Sequence, residues 1–190
     1  INDDNPVIFF ENRWLHNTFG PVPKEYYDVP IGKAKVVLKG SDITIFSHSY
    51  MLLESLKCAN HFRKNGVSVE LIDLRTLRPF DKKCIINSVK KTKRMIVVDN
   101  GWLQCGISSE IITIVAENAF NYLKAKPARI GMEDVPSPST RALTKYYYPR
   151  AIDIGKQINN ILKINIDLNF LKLPLNSDLD VPDSNFKGPF

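Results

Sequence analysis

Residues 67–81 of the chain read VSVELIDLRTLRPFD, and this stretch decides the fold. Its first half, Val67–Asp73, is rich in apolar and β-branched residues and predicts a buried strand. The Asn65–Gly66 pair before it predicts the end of a helix, because glycine readily adopts the left-handed conformation found there. Asp81, two residues after Pro79, predicts the start of the next helix, since its carboxylate can accept hydrogen bonds from the free amides of a first turn. The stretch is therefore a strand between two helices.

The same alternation of strands and helices extends from about Lys33 to Leu162. β-Branched runs predict strands at Ala34–Leu38, Ile43–Ser47, Val67–Asp73, Met95–Asp99 and Ala128–Ile130. Apolar residues at helical spacing predict helices at Tyr50–Asn65, Asp81–Lys91, Gly106–Leu123 and Pro149–Leu162. This alternation is typical of βαβ units. It predicts a three-layer, doubly wound α/β domain, in which a mainly parallel sheet carries helices on both faces.

Two flanking segments lack this pattern. In residues 1–32 the run PVIFFEN predicts a strand, and the three prolines of residues 16–30 predict a linker rather than regular structure. Residues 163–190 have no helical or strand period and predict a tail that is either disordered or partly docked. The apolar residues that favour docking are Phe170, Leu171, Leu173 and Phe190. We therefore expect three parts, 1–32, 33–162 and 163–190, of which the second is the folded domain.

The formal charge of +6 does not by itself indicate a nucleic-acid partner. The basic residues form short clusters, such as the one in residues 90–94, and at a helix end such a cluster is usually a solvated face. The sequence shows no stripe of alternating aromatic and basic residues of the kind that stacks on bases. We therefore expect no nucleic-acid partner.

Cysteine spacing and hydropathy indicate the compartment. The three cysteines, Cys58, Cys84 and Cys105, are widely spaced and form no CxxC pair, so neither a disulfide framework nor a zinc site is predicted. No apolar run approaches the ~20 residues that span a bilayer, and the first residues lack the basic start of a signal peptide. We expect a cytoplasmic protein that makes no membrane contact.

The predicted strand-to-helix loop at residues 99–106, DNGWLQCG, is the nearest candidate for a ligand site. Ligands of open α/β sheets bind at such loops, but a phosphate cradle needs more closely spaced glycines, as in GxGxxG or a P-loop. With two glycines, the loop is either a modest ligand site or a contact surface in which Trp102 fills a domain interface. Cys105 would gain reactivity if it began the next helix, because the positive end of a helix lowers the pKa of a thiol.

His48 directly follows the predicted strand Ile43–Ser47, at the edge of the sheet where α/β ligand sites form. It could face a cleft as a general base, or it could form a hydrogen bond or cap the next helix. The sequence around it lacks the GxSxG elbow of hydrolases, so no serine nucleophile is predicted. His48 is therefore a candidate contact residue without an assigned catalytic role.

Several segments together resemble the C-terminal, transketolase-like domain of the beta subunit of thiamine-diphosphate-dependent 2-oxo acid dehydrogenases, the pyruvate and branched-chain type. The matching segments occur in family order, from the first predicted strand to the last predicted helix. They are DNPVIFFEN, PIGKAKVVLKGSDITIFSHS, VSVELIDLRTLRPFD, SVKKTKRMIVVDNGW, GISSEI, EDVPSPST and YYYPRAIDI. The combination of IGKA, ELIDLRTLRPFD and the VP-x-P turn is far more specific than any one of these motifs.

The resemblance implies that this chain carries no catalytic, cofactor-binding or metal-binding residue of the family. The glutamate that activates thiamine diphosphate and the histidine near the reacting carbon belong to the preceding pyrimidine-binding domain, and PVIFFEN resembles the last strand of that domain. The magnesium and diphosphate site belongs to the alpha subunit. The parent enzyme thus uses thiamine diphosphate and magnesium, whereas we expect the isolated chain to bind neither and to be inactive.

The resemblance also implies partners, namely the chain's own pyrimidine-binding domain, an alpha subunit and, in some members, a lipoyl-bearing acyltransferase component. In those members an acidic residue before the VP-x-P turn contributes to acyltransferase docking, and it corresponds to Asp134. The C-terminal carboxylate contributes there too, but in this sequence residues 163–190 follow the last matching helix. Near the loop, the apolar surface around Trp102 predicts homodimer contacts.

Two alternative functions stay open. A transketolase-like or sugar-pathway enzyme would transfer a two-carbon unit without a lipoyl partner, whereas a non-catalytic adaptor would use the domain for protein contacts alone. A preceding pyrimidine-type domain and a neighbouring gene for an alpha-like subunit would favour the dehydrogenase. A reading frame that starts near Ile1 without such a partner would favour the adaptor.

Overall fold

The computed structural model of the chain describes residues 2–173, 181–182, 186 and 188. Its strands are β1 (Lys35–Leu38), β2 (Ile43–Ser47), β3 (Val69–Asp73), β4 (Met95–Trp102) and β5 (Ala128–Met132). Its helices are α1 (Ser49–Lys64), α2 (Lys82–Thr92), α3 (Ile107–Ala119), α4 (Arg141–Tyr147) and α5 (Ala151–Leu162). Short 3-10 turns lie at Arg13–Leu15, Phe120–Tyr122 and Asn169–Leu171.

The strands form a five-stranded sheet in the order β1-β3-β2-β4-β5. β2 pairs in parallel with both β3 and β4, and β4 pairs in parallel with β5. β1 alone is antiparallel, and it pairs with β3 at one edge. The chain thus builds outward from β2 to β3 and then crosses back to β4 on the other side. The direction of winding therefore reverses between β2 and β4, which is the position where open α/β sheets form a crevice.

Two hydrophobic layers cover the sheet. Ile43 and Ile45 of β2 face one layer, which also contains residues of α1 and α5. Phe46 of β2 faces the other layer, which contains residues of α2 and α3. Every residue of β2 is buried, as expected for a strand with helices on both faces. The predicted three-layer, doubly wound α/β fold is confirmed.

Buried polar groups beneath α2 are paired with one another. The hydroxyl of Thr44, in the middle of β2, lies 2.7 Å from the hydroxyls of both Ser88 and Thr92. The carboxylate of Glu70, on β3, accepts hydrogen bonds from Ser88 and Lys91. Because a buried polar group without a partner costs stability, this chain of hydrogen bonds lets polar residues occupy the interior and fixes α2 over the sheet.

The strands and helices predicted within residues 33–162 are confirmed, with small shifts at their ends. Asp81 caps α2 as expected, since its Oδ1 accepts a hydrogen bond of 3.0 Å from the Cys84 N–H. α4 was not predicted, because it is short and follows a proline-rich segment that favours irregular structure. β4 also extends three residues beyond its predicted end, to Trp102, and this extension brings part of the candidate loop into the sheet.

The flanks differ from the domain. The predicted strand PVIFFEN does not form one here: Phe10 is 86% exposed, and none of the described strands lies beside residues 6–12. A strand needs a neighbouring strand to pair its backbone N–H and C=O groups. That PVIFFEN belongs to the sheet of another domain therefore stays a prediction. On the other flank, Leu171 is buried against α1 and α5, and Phe170 stacks on His61. Phe190 lies outside the described residues.

Among the described residues, no helix has both the length and the apolar composition required to cross a membrane.

Candidate interaction site at the carboxyl edge of the sheet

The site is centred on a side-chain pair between β2 and β4. His48 immediately follows β2, and Asp99 lies on β4 beside it. The Nε2 atom of His48 lies 3.1 Å from Oδ1 of Asp99, and the Gly101 N–H donates a hydrogen bond of 3.0 Å to the same oxygen. Asp99 is only 5% exposed. The pair therefore occupies the place where the winding of the sheet reverses.

The surroundings of Asp99 stabilise its charged form. Burial alone would raise the pKa of this carboxyl group. The hydrogen bond and the charge of His48, followed by the N–H groups of Gly101 and Asn100, outweigh burial and lower the pKa below its ordinary value. An ionised carboxylate with three hydrogen-bond donors is a fixed negative charge inside the edge of the sheet. Together with the charge of His48, it can hold the loop in place.

Of the three roles considered for His48, namely general base, helix cap and hydrogen-bonding residue, the structure shows the last. Its backbone occupies the N-cap position of α1, but its side chain makes no cap hydrogen bond and turns to Asp99 instead. One ring nitrogen is therefore committed to the buried carboxylate. This arrangement ties the start of α1 to the end of β4.

Trp102 lies at the end of the loop segment that Asp99 holds. It pairs with Met132 of β5 after an irregularity in the strand register, and it is 50% exposed. An open groove of 490 Å³ runs beside it. The residues that line this groove are Gly101, Trp102, Met132, Ser137, Tyr147 and Tyr148. The groove is largely aromatic and apolar, which suits contact with a protein surface better than contact with a charged metabolite.

The second glycine of the loop has a packing role. A Cβ atom on Gly106 would lie 2.1 Å from the carbonyl oxygen of Trp102, so only glycine fits at this position. Cys105, next to it, does not begin a helix as proposed, since it is exposed at a φ of 53° and α3 starts at Ile107. The prediction that Cys105 begins the helix is therefore wrong. Burial raises the pKa of the Cys58 thiol.

Asp134 lies in the loop that follows β5, and its side chain is exposed. This loop also carries Ser137, which lines the groove beside Trp102. The structure thus places Asp134 on the segment that borders the groove, while His48 is part of the hydrogen-bonded support beneath it. Of the three candidates, Trp102 and Asp134 present side chains at the surface and His48 is mostly covered.

A buried polar cluster at the same edge was missed by the sequence analysis. We call it the Arg150 junction, and it consists of Trp14, Tyr50, Glu54 and Arg150. The Arg150 Nη1 donates a hydrogen bond of 2.8 Å to the Tyr50 hydroxyl and lies 3.6 Å from Oε1 of Glu54. Its guanidinium carbon lies 4.9 Å from the centre of the Trp14 ring, which also packs edge-on against Tyr50 at 4.9 Å. The junction therefore attaches the linker to the domain.

The junction is held by the ends of α1 and α5. Glu54 accepts a hydrogen bond of 2.6 Å from the Tyr50 hydroxyl and another of 2.7 Å from the Ala151 N–H at the start of α5. Burial raises the pKa of the Tyr50 hydroxyl, and the adjacent Glu54 raises it further. Tyr50 thus stays protonated and available as a donor. No sequence motif marks this cluster, because its members come from three distant parts of the chain: the linker, α1 and the residue before α5.

A scan against family models identifies the domain. The model described as transketolase, C-terminal domain, matches residues 32–154. The chain belongs to the transketolase C-terminal domain family. Curated relatives include pyruvate dehydrogenase E1 component subunit beta from Rickettsia felis, which is 38% identical over 161 residues, covering 85% of this chain and 49% of that protein. The mitochondrial subunit of the same name from Pisum sativum is 42% identical over 158 residues, or 81% of this chain and 44% of that protein.

The transketolase C-terminal fold is also found in a solved structure described as a split-gene transketolase, an inactive beta4 tetramer. That structure matches with a TM-score of 0.63 and 22% identity, over 76% of this chain and 48% of the other. The chain spans about half the length of the first curated relatives it matches. The family resemblance inferred from the sequence motifs is confirmed.

In this transketolase C-terminal domain, a diphosphate group does not fit at the amino end of α3, the helix that begins at the carboxyl edge of the sheet. Oδ2 of Asp99 lies 3.8 Å from the position of a Cβ atom on Gly106, which is the N-cap residue of α3. A carboxylate group of the chain therefore already occupies the place where a phosphate group would use the amino end of a helix. Across residues 2–173, 181–182, 186 and 188, no three His, Cys, Asp or Glu side chains are grouped closely enough to hold a metal.

The Asp99 pair predicts a pH-dependent contribution to stability. Because the folded pKa of Asp99 is lowered, its contribution is present above the ordinary aspartate pKa of about 3.9 and is lost as the pH falls through the lowered value. Asp99→Asn should reduce the free energy of unfolding by about 1–3 kcal/mol at neutral pH, and this difference should shrink in acid. Urea unfolding at about pH 7 and about pH 3 measures both values.

Glu117→Gln, on the exposed side of α3, is the matched control, and it should change stability by less than about 0.5 kcal/mol. Equal stability of Asp99→Asn and the unsubstituted chain at neutral pH would contradict the role assigned to the pair. A difference that grows on acidification would contradict it as well.

Proposed function

We propose that this chain is the C-terminal assembly domain of the beta subunit of a thiamine-diphosphate-dependent 2-oxo acid dehydrogenase, and that it supplies no catalytic residue. In the parent enzyme the decarboxylation would occur on thiamine diphosphate bound elsewhere, with magnesium. The chain's role would be to bind its own pyrimidine-binding domain, an alpha subunit and an acyltransferase component. Alone, it would be inactive.

The observation that carries this proposal is the fixed carboxylate of Asp99 at the reversal point of the sheet. In many α/β enzymes this position binds the cofactor, but here a buried, hydrogen-bonded negative charge supports a loop. The relatives that match most of the chain are named pyruvate dehydrogenase E1 beta subunits, and the match covers about half of their length. A domain without its own cofactor site suits a role in assembly.

Trp102 and Asp134 are the contact residues in this proposal, and His48 is a positioning residue. Trp102 lies at the rim of an aromatic groove, Asp134 lies on the segment that borders it, and His48 fixes the loop through Asp99. Aromatic residues are enriched where protein partners bind. The groove would therefore receive a partner surface, with Asp134 as a charged contact beside it.

Isothermal titration calorimetry tests the absence of a cofactor site. Titration of thiamine diphosphate with magnesium into the chain of residues 1–190 should give no saturable heat, since the carboxylate of Asp99 occupies the helix terminus that a diphosphate would need. The assembled parent enzyme, titrated under the same conditions, is the positive control and should bind. Tight binding by the isolated chain would defeat the proposal.

The Trp102 surface is tested by sedimentation velocity. We expect the chain to self-associate, because it exposes large apolar side chains around the groove, and Trp102→Ala should shift the population toward monomer. Phe120→Ala is the matched control, since Phe120 is also exposed but lies at the far end of α3. The assignment fails if Trp102→Ala sediments like the unsubstituted chain, or if both substitutions weaken association equally.

Acyltransferase docking is tested at Asp134 in the assembled enzyme. Asp134→Asn should weaken binding of a lipoyl-bearing acyltransferase component by roughly tenfold, the effect of losing about 1.4 kcal/mol from a charge-assisted contact. Glu133→Gln is the matched control, because it removes a neighbouring exposed charge of the same sign. Surface plasmon resonance measures both affinities. Equal losses for the two substitutions would show general electrostatic attraction instead of a specific contact.

A further inference from the structure

Arg150 contacts both flanks of the domain. It is 6% exposed and lies one residue before α5. One face of its guanidinium group packs on Trp14 of the linker, as described for the Arg150 junction. Its Nη2 donates a hydrogen bond of 2.8 Å to the carbonyl oxygen of Val181, in the C-terminal segment. A single buried side chain thus joins the linker, the domain and the C-terminal segment.

We infer that the Arg150 junction is the docking site of the C-terminal segment around Val181, and that the docking of this segment and of the linker stabilise one another through Arg150. The inference does not depend on the proposed function. It assigns an occupant to one surface of the domain, namely a segment of the same chain beyond the family match at residues 32–154.

The coupling follows from the rigidity of the guanidinium group. Its donors lie in one plane and in fixed directions. When the Val181 carbonyl accepts from Nη2 and the Tyr50 hydroxyl accepts from Nη1, the plane is fixed and its face is presented to Trp14. If Val181 leaves, Nη2 loses this acceptor, and one of the contacts that fix the plane is gone while the Nη1 contact with Tyr50 remains. The stack on Trp14 then weakens, and linkage makes the effect reciprocal.

A second contact between the two flanks provides an internal comparison. The side-chain amide of Asn17, in the linker, donates a hydrogen bond of 3.0 Å to the carbonyl oxygen of Gly188. This bond bypasses Arg150. If it were the main connection, its loss would release the C-terminal segment, whereas changes at the Arg150 junction would act on each flank separately.

Limited proteolysis of the full chain tests the inference. Cleavage by thermolysin around Val181, followed by mass spectrometry, reports the population in which the segment is undocked. Trp14→Leu, which alters the linker side of the junction, should raise this cleavage rate at least about fivefold, the lower end of typical coupling between sites. Arg150→Lys keeps the charge but loses the planar fork, and it should raise the rate by at least the same factor.

The double variant and the Asn17 control show whether the two flanks are coupled through Arg150 or through the hydrogen bond between Asn17 and Gly188. Trp14→Leu combined with Arg150→Lys should cleave no faster than Arg150→Lys alone, because both act on one connection. Asn17→Ala should change the rate by less than about twofold, because this hydrogen bond bypasses Arg150 and a single hydrogen bond has a modest net effect. The inference is overturned if Trp14→Leu leaves cleavage unchanged, if the two effects multiply fully, or if Asn17→Ala has the larger effect. Circular dichroism of each variant identifies any that fails to fold, and Trp14→Leu alone still decides the outcome in that case.

Discussion

The burial of β2 on both faces is the constraint on which the rest of the structure depends. Each of its residues is buried, so helices must cover the sheet on both sides. With β3 and β4 as its two neighbours, the chain has to reverse its winding beside β2. The helices that follow β2 and β4 then lie on opposite faces, and their first residues separate at the carboxyl edge. The crevice at this edge is a geometric consequence of the strand order.

A crevice of this kind is suited to a ligand, but the residues placed in it make a support for a loop. Asp99 is hydrogen-bonded to His48 and to the Gly101 N–H, and these bonds fix the backbone that leads to Trp102. Gly106 permits the close contact with the Trp102 carbonyl that the turn into α3 requires. The glycines and the histidine that suggested a ligand loop in the sequence are explained by these contacts. The arrangement leaves an aromatic groove exposed beside Trp102.

The sequence predicted the architecture well because the signals for it are local. β-Branched runs, Gly66 at a helix end and Asp81 at a helix start act within a few residues of where they stand. The pairing of His48 with Asp99 depends on strand order, which local patterns do not specify. The Arg150 junction is still less accessible, because the linker, α1 and α5 must be folded before its four side chains meet. Its one sequence signal was Trp14 itself, a large aromatic residue in a mainly polar stretch, which favours a surface that covers it.

The two flanks add a constraint that the domain alone does not have. A linker made of prolines and polar residues would hold no fixed direction by itself, yet Trp14 is packed between Tyr50 and Tyr148 and under Arg150. The exposed apolar run at residues 7–10 therefore leaves the domain from a defined point. A segment that starts from a fixed point has fewer conformations to lose when it binds a partner. The buried arginine thus does for the linker what the buried carboxylate does for the loop: each gives a flexible connection a fixed position.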